Sequence, residues 1–105
     1  MVRSIVANTP GAISYLAFSY VDNTVATLKL DGVAPDDQNV MNNTWPIWSY
    51  EHVYTKGQPT GLTKEFLAYV LSDKIQNKQV SKMGYIPVAQ MQVERSLDGT
   101  ITKVK

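Results

Sequence analysis

Both tryptophans, two of the six tyrosines and the single histidine fall in one stretch, Trp45–Gly57. Aromatic and β-branched residues at this density, opened by a proline and closed by Lys56-Gly57, predict a strand. Alternation would put Trp48, Tyr50, His52 and Tyr54 on one face and Ile47, Ser49, Glu51 and Val53 on the other. Pro46 has no N–H and suits the start or edge of a strand, not its middle. The stretch reads as the aromatic anchor of a core, and nothing in it requires chemistry.

A chain of 105 residues has room for one domain. Its net charge of +1 is far from the basic excess of a nucleic-acid footprint, so no nucleic-acid partner is expected. With no cysteine there is no disulfide, thiol nucleophile or thiolate-held metal. No apolar run is long enough to span a membrane, and the N-terminal apolar run is too short for a secretory signal.

Val2 to Ala7 reads as the last turns of a helix, with Asn8 as its left-handed end residue and Pro10 beyond. An opening inside a helix end suggests part of a longer chain. Gly11 to Phe18 is apolar on both faces, the pattern of a strand covered on two sides as in an α/β sheet. Asp22-Asn23 marks a turn, and Val25 to Leu30 a second strand ended by Asp31-Gly32. Val33 to Thr44 reads as a loop with one helical turn near Asn39 to Met41.

Beyond the breaker cluster Gly57–Gly61, an apolar stripe of Leu62, Phe66, Leu67, Val70, Leu71 and Ile75 predicts a helix. Ser72-Asp73 would cap a second helix from Lys74 to Lys82, closed by Gly84 at its end. Val88 to Leu97 carries a weaker helical stripe of Val88, Met91 and Leu97. Asp98-Gly99 is a turn, and Thr100 to Lys105 would add a short edge strand or stay loose.

Three motifs in order are more specific than any alone. They are Thr9-Pro10-Gly11-Ala12-Ile13-Ser14-Tyr15; Trp45-Pro46-Ile47 running on to Tyr54-Thr55-Lys56-Gly57; and Phe66 to Ser72 leading to Gly84-Tyr85-Ile86-Pro87-Val88. With Leu30-Asp31-Gly32 they resemble the C-terminal part of phosphate-binding proteins, the solute receptors of bacterial phosphate ABC transporters. The likeness runs from about Ile5 to about Leu97. One departure is Ser14, where that family usually has glycine; serine there would be strained if the position needed a positive φ.

The resemblance implies an α/β fold: a C-terminal fragment of a two-lobed, periplasmic-binding-protein-like receptor, with a few strands and two or three packed helices over residues 1–105. It implies inorganic phosphate and a membrane permease as partners of the parent, an extracytoplasmic location, no catalysis and no cofactor. The family holds phosphate with an early loop, a serine and an aspartate of the first lobe, and an arginine with a Ser-Gly-Thr loop at a helix N-terminus. Those elements would lie upstream, and this chain has no Ser-Gly-Thr triplet, so no residue here is expected to be a phosphate ligand, a catalytic group or a metal ligand. The alternative is a structural, self-associating module, a homo-oligomer formed through faces that the rest of a receptor would cover.

Other candidates read as structural. Glu51 and His52 are adjacent and would point to opposite faces of a strand, so His52 is expected to be a half-buried structural histidine. Asp31, Asp36 and Asp37 lack the spacing and closing glutamate of a calcium loop. Gly57–Gly61 has no Gly-Lys-Ser/Thr ending, and no serine sits in a Gly-x-Ser-x-Gly elbow. An anion site on this chain would have to draw on Arg3, Arg95 and the helix N-termini near Thr63 and Ser72.

Overall fold

A computed structural model describes residues 1–105. Helix α1 (Val2–Asn8) comes first, then a one-turn 3-10 helix at Phe18–Tyr20, α2 (Asp37–Met41) and α3 (Gly61–Val70). A π-helical segment (Ile75–Val80), a second 3-10 turn (Val88–Gln90) and two short strands, β1 (Val93–Arg95) and β2 (Ile101–Lys103), complete the chain.

Local chemistry shapes the best-defined turns. Asp31 (φ 48°) and Gly32 (φ 82°) are both left-handed, the type I′ conformation of a two-residue hairpin. They bring Leu30 and Val33 into a bridge with reciprocal N–H···O bonds of 3.0 and 2.8 Å. The Asp36 side chain accepts from Asn39 N–H at 2.9 Å and starts α2, as an N-cap aspartate should. The helix 73–82 ends in a Schellman motif: Tyr85 N–H donates to Val80 O and Gly84 N–H to Ser81 O. Gly84 sits at φ 80°, and a Cβ there would lie 3.0 Å from the Ser19 Cα, so this glycine also lets two backbone segments meet.

The strands β1 and β2 pair antiparallel, with Val93 opposite Lys103, Glu94 opposite Thr102 and Arg95 opposite Ile101. The loop between them is held by Asp98, which accepts from Thr100 N–H at 2.9 Å and from the Ser96 hydroxyl. These bonds hold the Asp98 carboxyl down at a pKa of about 2.

The core sits where β1 meets α2 and the aromatic stretch. Val40, Trp45, Met91 and Val93 are buried, with Phe18, Leu30, Val33, Met41, Trp48, Tyr50, Ile86 and Ile101 packed around them. Pro87 is the one other buried residue. Gln92 N–H donates to Met41 O, and Trp45 N–H to Asn39 O, so backbone bonds tie the same three pieces together.

Several expectations fail against this fold. Residues 11–18, 25–30 and 45–57 join no sheet, and apart from the Leu30–Val33 bridge the three predicted strands lack the partners that define a strand. Asn8 is helical and its amide donates to Ser4 O; the left-handed asparagine is Asn43 (φ 63°), just beyond α2. Val88 to Leu97 is not a helix, because after one 3-10 turn its Val93 and Arg95 alternate inward as β1. Ser72 directs its hydroxyl back to Tyr69 O and caps nothing. Ser14 is not among the left-handed residues, so serine is unstrained there. The helices at 61–70 and 73–82, the turn of helix near Asn39, and the short C-terminal strand are where the sequence placed them.

Two measurements check this description. Gly84→Ala should lose about 2 kcal/mol in urea unfolding, from left-handed strain plus the clash with Ser19. Gly32→Ala, with open space around it, should lose only the strain part. The low Asp98 pKa makes stability level above the ordinary aspartate value of 3.8 and lost as pH falls through about 2. Asp98→Asn should flatten that acid limb.

Candidate functional site

An anion site needs convergent N–H donors or cations with acceptor capacity to spare. The two arginines therefore come first. Arg3 projects from α1 to Asp22, 3.1 Å away, and donates to Tyr20 O at 2.8 Å. Asp22 in turn accepts from Thr24 N–H and hydroxyl, which hold its carboxyl below the ordinary value, with Arg3 adding to the effect. Arg3 is thus already neutralised by a carboxylate at an exposed surface.

Arg95, on β1, reaches across to the aromatic stretch. Its guanidinium donates to Trp48 O, to Pro46 O at 2.8 Å and, at the limit of bonding, to Asn43 Oδ1 at 3.5 Å. Its central carbon stands 4.3 Å from the centre of the Trp48 ring, a cation–π contact. The indole N–H of Trp48 donates to the same Asn43 oxygen at 2.8 Å, and Tyr50 meets Trp48 edge-on at 5.4 Å. Tyr50 donates its hydroxyl to Val93 O at 2.9 Å, and burial, with Glu94 nearby, pushes its pKa up. Arg95 makes three N–H···O contacts, to two carbonyls and an amide oxygen, and lays one face on a ring. The arrangement is a structural clamp.

The other sequence candidates do not converge. Arg3 and Arg95 lie in separate clusters, and neither is bonded to Thr63 or Ser72. The first turn of α3 has no side-chain cap. His52 is exposed, not half-buried, and it faces Tyr54, 6.1 Å away and also exposed. Asp36 is spent on capping α2, and no three His, Asp or Glu side chains come together as a metal cluster. Asp36 and Asp37 do line a shallow depression with Phe18, Val21, Thr27, Pro35 and Gln38. Its two carboxylates suit a phosphate poorly, since like charges repel. The role of Arg95 had no local signal in the sequence, because its partners lie up to 52 positions away.

No protein-family model matches the chain. Three relatives are similar over most of it. The phosphate-binding protein PstS of Bacillus subtilis is 54% identical over 99 residues, which is 93% of this chain and 33% of that protein. PstS 2 of Streptococcus agalactiae is 32% identical over 84% of the chain and 30% of its own length. PstS of Pseudomonas aeruginosa is 32% identical over 92% of the chain and 32% of its own length. The chain therefore spans about a third of the length of these curated relatives. No helix is long and apolar enough to cross a membrane.

The clamp assignment is open to test. Arg95→Ala should cost about 3 kcal/mol in urea unfolding, because it strands acceptors and uncovers Trp48. Arg95→Lys should recover little, since an ammonium cannot fork to two carbonyls while lying flat on a ring. Trp48 fluorescence should report both changes.

Proposed function

The chain belongs to the PstS family of phosphate-binding proteins, and from that premise we propose that it is part of the extracytoplasmic receptor of an ABC-type phosphate importer. The receptor captures inorganic phosphate, delivers it to the membrane permease and performs no chemistry on it. The observation that carries this reading is 54% identity to the Bacillus subtilis phosphate-binding protein over 93% of the chain. The working motion is closure of two lobes around the ion, a shift of population toward the closed form.

Within that role, residues 1–105 supply scaffold and not phosphate ligands. Two features support this: both arginines are bonded within the fold, and the depression beside α2 carries two carboxylates and no cation. A second reading, a self-associating module with no ligand of its own, draws on the exposed apolar side chains, among them Leu62, Phe66, Ile13 and Tyr15.

Calorimetric titration of the 105-residue chain with phosphate, with light scattering on the same sample, separates these readings. The scaffold reading expects no saturable heat at millimolar phosphate. A one-to-one isotherm at micromolar affinity would overturn it, and the search for ligands would return to Arg3 and Arg95. A stable dimer without phosphate heat would favour the self-associating module.

A further inference from the structure

Two aspartates precede glycine, Asp31 and Asp98, and no asparagine does. A following glycine leaves its nitrogen unshielded, so at these two positions a side-chain carboxyl is open to attack by the next residue's own backbone. The attack needs a carboxyl free to take up a proton and a backbone N–H that no acceptor holds. It also needs a turn loose enough to swing that nitrogen onto Cγ. The fold gives the two pairs opposite surroundings.

At Asp98 all three conditions fail. Its carboxylate accepts from Thr100 N–H at 2.9 Å and from the Ser96 hydroxyl, and at a pKa of about 2 the neutral acid is scarce. Gly99 N–H donates to Ser96 O at 3.0 Å, and the pairing of β1 with β2 closes the loop. At Asp31 all three are met. Its side chain is exposed and accepts no hydrogen bond, whereas Asp22, Asp36 and Asp98 each do. Gly32 N–H has no acceptor in the protein, and nothing lies within 4 Å of where a Gly32 Cβ would stand. The turn is fastened by one isolated bridge, Leu30 to Val33, with no ladder behind it, so it opens locally at small cost. Asp31 sits at φ 48°, a left-handed conformation that strains a residue with a Cβ, and opening the turn releases that strain.

We propose that Asp31–Gly32 is a site of spontaneous backbone modification, where aspartate rearranges to isoaspartate through a cyclic imide, and that Asp98–Gly99 is its protected counterpart. The Gly32 nitrogen bonds to Asp31 Cγ; its proton and the carboxyl's hydroxyl leave together as one water, closing a succinimide. Water then adds back to either ring carbonyl. Opening at Cγ regenerates aspartate, and opening at the Asp31 main-chain carbonyl routes the backbone through Cβ and leaves isoaspartate. Water is the sole co-reactant, and nothing is oxidised or reduced. Isoaspartate lengthens the two-residue loop by one methylene, so the type I′ geometry that aligns Leu30 with Val33 is lost. Both residues pack against the buried cluster, so the change reaches the core.

The test is to age the 105-residue chain at a mildly acidic pH and map its peptides by mass spectrometry, with electron-based fragmentation to tell isoaspartyl from aspartyl bonds. In native buffer isoaspartate should build up at position 31 at least about tenfold faster than at position 98, since a drop in pKa from 3.8 to about 2 alone cuts the neutral fraction about sixtyfold. In urea the two positions should react at similar rates, because each is a Leu-Asp-Gly sequence once the fold is gone. Ser96→Ala removes one bond to Asp98 and should speed position 98 while leaving position 31 unchanged. Equal rates at the two positions in native buffer overturn the proposal, because the dipeptide and not the fold then decides. A position 31 that reacts in urea but stays intact in the native chain also overturns it, since the turn then locks the carboxyl away. The isoaspartyl fraction should unfold at a lower urea concentration than the unmodified chain, and an unchanged midpoint would overturn the coupling to the core.

Discussion

One guanidinium holds the interior together. Arg95 lies against the Trp48 ring while donating to the carbonyls of Pro46 and Trp48, which pins the aromatic stretch to β1. Asn43, left-handed at the end of α2, accepts from both the Trp48 indole and Arg95 and so joins the third piece. Val40, Trp45, Met91 and Val93 are buried at this junction. Burying a side chain of this class stabilises by about 2 kcal/mol, but only if the walls stay in place. Here the walls are irregular backbone, and Arg95 satisfies carbonyls that no ladder reaches.

The same economy bears on how Arg95 could meet an anion. A cation that closes a core cannot also receive a phosphate without leaving its acceptors unsatisfied. Arg3 is tied to Asp22 at the surface, and the remaining cations are flexible lysines. Around them lie backbone segments outside any ladder and an α3 stripe mostly open to solvent. Much apolar side-chain surface lies open around a small, well-braced centre.

How much of this was legible depended on distance along the chain. Asp31-Gly32, Asp36 with Asn39, Gly84 and Asp98-Gly99 carry their geometry in one to four residues, and each forms the turn or cap its chemistry implies. Residues 11–18, 25–30 and 45–57 were read as strands from side chains alone, but a strand is a relation between two segments, and no second segment forms a ladder with them. Val88 to Leu97 misled for a different reason. Val88, Met91 and Leu97 fit a helical stripe, while Met91 and Val93 fit alternation equally well, and β2 decided between them. The use of Arg95 as a clamp could be read only once Pro46 and Trp48 had been brought to it.

The span of that clamp also orders events during synthesis. Arg95 follows Trp48 by 47 positions, and Val93 follows Tyr50 by 43. A ribosome extends the chain by roughly 5–20 residues per second, so the tryptophans leave it seconds before their partner exists. Until then the capped turns and α3 can form, since their bonds are local, but Trp45 and Trp48 stay uncovered. That interval is when the aromatic stretch is open to chaperones and to stray strand pairing, and it closes when β1 arrives.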